Sequence, residues 1–130
     1  MKTLAKIEPS LKSNILVVEK NKRNVELLSE FLSKLGFCSV PVSSSDELNK
    51  ALSSNQIIDV ALIDIDGFDE TIWNYCKKIR EKEIQFLIIS PRQRTEISSH
   101  TFNHGASGVL SKPLVMKDLA NLIINLTHSE

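Results

Sequence analysis

The run from Ile57 to Asp64 is apolar except for Asp59, and it ends on a carboxylate with Asp66 and Asp69 just beyond. A strand without polar alternation is buried on both faces, as in the middle of a parallel sheet. In α/β proteins the C-terminal edge of such a sheet is where ligands and chemistry gather. The run therefore predicts a central strand that carries Asp64 to that edge, with Asp66 and Asp69 on the following loop.

The flanking sequence supplies the partners such a strand needs. Ile15-Leu16-Val17-Val18 is a short β-branched strand that stops at Glu19-Lys20. From Val25 the period becomes helical: Leu27, Leu28, Phe31, Leu32 and Leu35 share one face, and Gly36 stands where a C-terminal cap belongs. Phe37 to Val42 reads as a strand, at an edge because of Pro41. Ser44 and Glu47 have capping-box spacing for a helix reaching Ser53 or Ser54, with Leu48 and Leu52 inward. After Asp64 come a helix over about Glu70–Glu81, a strand over Phe86–Ser90 and a helix over about Arg94–Asn103. A strand over Gly108–Ser111, closed by Lys112-Pro113, and a helix over about Met116–Thr127 complete the chain. Five apolar strands alternating with five helices specify an α/β fold, a doubly wound parallel sheet with right-handed crossovers. Residues 1–13 read as a loose leader and 14–130 as one domain.

Composition narrows the function. Sixteen basic and sixteen acidic residues cancel, so no global field favours nucleic acid or a membrane surface. No apolar run has the length of a bilayer span and the start lacks a signal-peptide core, which together predict a cytoplasmic protein. Cys38 and Cys76 lie far apart without metal-ligand spacing and read as reduced, packed thiols. His100, His104 and His128 are too scattered to argue for a metal.

At the sheet edge the strand ends deliver Glu19 and Lys20, Asp64 and Asp66, Ser90 and Lys112. This arrangement, with Ile88-Ile89-Ser90 and Gly105-Ala106-Ser107-Gly108-Val109-Leu110-Ser111-Lys112-Pro113, resembles the receiver domain of two-component response regulators from Ile15 to the last helix. The resemblance implies a flavodoxin-like (βα)5 sheet with strand order 2-1-3-4-5. It implies a signalling domain rather than an enzyme, beyond catalysis of its own phosphorylation and dephosphorylation. Asp64 would accept phosphate from the histidine of a kinase or phosphotransfer protein, and Ser90 and Lys112 would bind the phosphate oxygens. The chemistry agrees: a carboxylate is a competent nucleophile toward a phosphoryl group whose charge is neutralised by an ammonium and a hydroxyl donor. The resemblance also implies a cis bond at Lys112-Pro113 and an output face on the fourth helix, fifth strand and fifth helix. Arg94, Glu96, His100, His104, Lys117 and Asp118 are its candidate residues, and a homodimer is one partner it would admit.

The departures point to an atypical receiver, or pseudo-receiver. The family's two acids after the first strand, which hold Mg²⁺ with the acceptor aspartate, are Glu19 and Lys20 here. A lysine removes a hard oxygen and adds a repelling charge, leaving Glu19, Asp64 and Asp66 as a weakened ligand set. Lys20 is expected to sit against Asp64 in the metal's place. The family's switch aromatic is Val109, and its Met-Pro after the acceptor is Gly67-Phe68, so the usual two-position device is missing.

Two further readings fit less of the chain. Asp64-Ile65-Asp66-Gly67 resembles the nucleophile motif of haloacid-dehalogenase phosphatases, but it lies on the third strand and no acidic pair follows Lys112, where Asp118 stands alone in the last helix. A flavin site would need small hydroxyl residues in the first loop, which is long-chained and basic.

Overall fold

A computed structural model of the chain describes residues 13–91 and 105–127. The elements are β1 (Asn14–Val18), α1 (Lys22–Lys34), β2 (Cys38–Val42), α2 (Ser45–Ser53) and β3 (Val60–Asp64). They are followed by α3 (Ile72–Glu81), β4 (Gln85–Ser90), β5 (Gly108–Ser111) and α4 (Met116–Thr127). The helix expected over Arg94–Asn103 lies outside the described residues. The five strands form one parallel sheet in the order β2-β1-β3-β4-β5, the flavodoxin-like arrangement. β3 is central and every one of its residues is buried.

Successive strand residues point to opposite faces of the sheet, which separates two cores. Leu16, Val18, Ala61, Ile63, Phe86 and Ile88 pack with α2 and α3. Ile15, Val17, Val60, Leu62 and Leu87 pack with α1 and α4. Both faces are covered by helices, which is why the central strands read as unbroken apolar runs.

Local chemistry sets the element ends, and some differ from the sequence reading. Helix α1 begins at Lys22 rather than Val25, because the Asn21 side chain accepts the Asn24 N–H at 3.0 Å and caps it. Leu27, expected inside, is 45% exposed. The predicted cap at Gly36 is present, with φ of 93°. In α2 the Ser44 hydroxyl accepts the Glu47 N–H at 3.2 Å while the Glu47 carboxylate accepts the Ser43 N–H at 2.7 Å. Strand β3 starts at Val60, not Ile57. The Asn14 side-chain amide donates to the Ile57 carbonyl at 2.8 Å and the Asn14 N–H donates to the Asp59 carboxylate at 3.0 Å, so side chains tie this segment to the start of β1 ahead of the strand.

Candidate functional site

The parallel register brings four strand ends to one edge. Val18 pairs with Ile63, Asp64 with Ile89 and Ser90 with Ser111. Glu19 follows β1 with its N–H on the Val42 carbonyl, and Lys112 follows β5 with its N–H on the Ser90 carbonyl. Glu19, Asp64 and Ser90 are the buried polar or charged residues among those described, at 1%, 2% and 1% exposure. Polar groups reach this depth at the strand ends because the sheet's apolar layers stop there.

Lys112 joins the acids. Its ammonium lies 2.9 Å from Asp64 Oδ2 and 3.5 Å from Asp66 Oδ2, and the Asp66 N–H donates to Asp64 Oδ1 at 3.0 Å. Burial works against the Lys112 charge, but the hydrogen bond to Asp64 and the charges of Asp64, Asp66 and Glu19 outweigh it, so its pKa is raised. The bond from Lys112 to Pro113 is cis, as the resemblance implied.

Glu19 is the strained member of the group. One of its oxygens accepts the Asn21 N–H at 3.2 Å, while the other, Oε1, is buried and receives no N–H or hydroxyl donor among the described residues. Burial, then the hydrogen bond and charge of Asp64, push its pKa up to about 8, against weaker pulls from the Asn21 N–H and Lys112. A proton on Glu19 is therefore shared toward Asp64, which relieves the repulsion of two adjacent carboxylates.

Lys20 is not placed against Asp64. Its ammonium lies over the Phe68 ring, 4.9 Å from the centroid, and Phe68 meets Tyr75 edge-on at 5.5 Å. Gly67, with φ of 87°, permits this: a Cβ there would come within 3.3 Å of Lys20 Cβ. Gly67-Phe68, a departure from the family's Met-Pro in sequence, thus supplies the ring that seats Lys20, a pairing no sequence spacing signals. Asp69 sits further out, its carboxylate accepting the Thr71 hydroxyl at 2.6 Å and held below the usual carboxylate range chiefly by that bond. Val109 is partly buried against the α2/α3 core. Of the expected output residues, Lys117 and Asp118 are exposed on α4, and Arg94, Glu96, His100 and His104 lie outside the described residues.

The donor set does not fit the Mg²⁺ that the resemblance implies. Among the described residues no group of three His, Cys, Asp or Glu side chains could hold a metal ion. Lys112 occupies Asp64 and reaches Asp66, and position 20 offers an ammonium where a carboxylate oxygen is required. No described helix is long and apolar enough to cross a membrane.

Comparison with known proteins places the chain. It is similar to a response regulator from Thermotoga maritima, at 20% identity and a TM-score of 0.79 over 92% of this chain and 100% of that one. It is similar also to a CheY-like receiver domain protein from Methanospirillum hungatei JF-1, at 20% identity and 0.77 over 88% and 92%. An orphan response regulator of H. pylori matches at 23% identity and 0.73 over 89% and 97%. These likenesses show the fold, and a search of curated protein sequences returned no match. The family model of the response regulator receiver domain matches residues 15–124, most of the 130, and the chain belongs to that family.

Proposed function

We propose that this chain is an atypical receiver, a two-component signalling domain that acts through protein–protein contact and has no high-affinity Mg²⁺ site. The observation that carries this reading is the pocket's charge arrangement. Lys20 stands where an acid would hold the metal and is turned onto Phe68, while Lys112 already spans Asp64 and Asp66. A hard divalent ion would have to displace that ammonium and work with a depleted oxygen set. The partners are a downstream protein or output domain, and a kinase or phosphotransfer protein where Asp64 is modified.

The test is Mg²⁺ titration of the wild type beside Lys20→Asp. Tight binding that appears only in the variant is the expected result. Equal binding by both proteins overturns the reading.

The proximity of Asp64, Lys112 and Ser90 favours a second reading, in which Asp64 accepts phosphate. An Asp64 oxygen would form a new P–O bond as the donor's P–N bond breaks. The departing imidazole keeps the electron pair, and Lys112 neutralises charge on the transferred group. Exposure to a small phosphodonor or beryllofluoride, with and without Mg²⁺, separates the two readings. NMR spectra unchanged under every condition exclude phosphorylation.

A further inference from the structure

At the end of the sheet opposite Asp64, a groove of 240 Å³ opens between the end of α2 and the turn before β4. Ala51, Leu52, Ile57, Ile58 and Ile84 line it together with Lys82. Leu52, Ile58 and Ile84 pack against the core under α2 and α3, while Ile57 is 74% exposed, the most exposed large apolar side chain among the described residues. Apolar side chains gathered in one exposed patch mark a contact surface, which scattered ones do not. The size of the patch narrows its occupant. Seven residues line the groove, whereas a stable interface between separate chains takes about 20–30 from each partner. A segment tethered to the same chain needs far less, because its local concentration is on the order of millimolar.

Such a segment enters the sheet at the groove. Ile15 pairs with Val60 and Val60 with Gln85, so the residues just before them, Asn14, Asp59 and Ile84, share one edge. Asn14 is fixed there by its hydrogen bonds to the Ile57 carbonyl and the Asp59 carboxylate. Residues 1–12, which lie outside the described residues, therefore join the sheet beside Ile57. Their sequence suits an apolar groove. Lys6-Ile7-Glu8-Pro9-Ser10-Leu11-Lys12 alternates polar and apolar, which in an extended chain puts Ile7, Pro9 and Leu11 on one face. Pro9 disfavours the helical alternative. Charge agrees: the leader carries Lys2, Lys6 and Lys12 against Glu8, and the turns forming the groove carry Asp59, Glu81 and Glu83 against Lys82. Reach suffices as well. Ile7 precedes Ser13 by six residues, about 20 Å when extended, and β4 lies two strands from β1, about 10 Å. We infer that residues 6–12 lie in this groove as an extended strap, with Leu11 against Ile57 and Ile7 against Leu52 and Ile84. The strap closes the α2/α3 core at the edge remote from Asp64. It goes beyond the receiver reading and holds whether or not Asp64 accepts phosphate or metal.

Methyl NMR of the full chain tests it. Nuclear Overhauser contacts are expected from the Ile7 and Leu11 methyls to those of Ile57, Leu52 and Ile84, and they should persist unchanged on dilution. Ile7→Ser should shift the Ile57 and Ile84 methyls and leave Ile15 and Ile123, in the core on the other face of the sheet, where they are. Glu8→Ser, on the opposite face of the strap, should leave all four in place. Neither substitution touches the sheet or its helices, so folding is not at stake in either variant. Absence of contacts between the leader and the groove overturns the inference. So do equal shifts in Ile7→Ser and Glu8→Ser, because the alternation would then not select the face that docks. Contacts that appear only between differently labelled chains in a mixture, and fade on dilution, also overturn it and assign the groove to a second copy.

Discussion

Glu19 dominates the single-residue energetics, and its effect on stability has a definite sign. Its pKa rises from 4.5 to about 8 on folding, so between those values the folded state holds a proton that the unfolded chain has released. The proton-linked stability is fully present below about pH 4.5, falls as pH rises toward 8, and is absent above. Glu47 and Asp69, both lowered by hydrogen bonds to neighbouring backbone and hydroxyl groups, act at more acidic pH and leave this window to Glu19. Urea midpoints should therefore decline from about pH 5 to 8 in the wild type and stay flat in Glu19→Gln; a matching decline in the variant assigns the titration elsewhere. Lys112 is the complementary residue. Lys112→Met leaves the buried Asp64 carboxylate without its cation and should lower stability by on the order of 1–3 kcal/mol. Asp64→Asn relieves the repulsion on Glu19, so the double variant should be more stable than the sum of the single losses predicts.

At the scale of elements, two helices begin by different means and should respond differently to substitution. Helix α2 is held by a reciprocal cap, Ser44 accepting the Glu47 N–H and Glu47 accepting the Ser43 N–H. Helix α3 has no side-chain hydrogen bond at its cap position, Thr71, whose hydroxyl is given to Asp69 instead. Ser44→Ala should lose about 1 kcal/mol by chemical denaturation and Thr71→Ala less than about 0.5. Comparable losses would mean that Asp69 and Thr71 act together as a cap. The turn after β3 is a third case. Gly67 combines a φ of 87° with the close approach of Lys20 Cβ, so Gly67→Ala should destabilise by about 1–2 kcal/mol and move Lys20 off Phe68. Loss of ring-current shifts at the Lys20 side chain would report that movement.

At the scale of the molecule, the α/β architecture was legible because every strand is an apolar run and every described helix has an inward face. Asp64, Ser90 and Lys112 could be placed at one edge for the same reason: topology puts parallel strand ends together whatever the side chains do. What was not legible depends on rotamers and neighbours. Lys20 is adjacent to Glu19 in sequence yet settles on an aromatic ring from another loop, and no periodicity encodes that choice. Leu27 has correct helical spacing but falls at the margin of its stripe, where it walls a cavity beside Asp64 instead of entering the core. The alternation that made the strands readable also divides the interior into two cores that meet only through the sheet. Ile79 lies in the core under α2 and α3, and Ile123 in the core under α1 and α4. Both are fully buried, so Ile79→Val and Ile123→Val should each lose about 1 kcal/mol through one deleted methylene. Because a sheet separates them and they share no partner, the double variant should equal the sum within about 0.5 kcal/mol. A larger coupling, read from urea midpoints of the four proteins, would show that packing strain crosses the sheet and that the two faces behave as a single core.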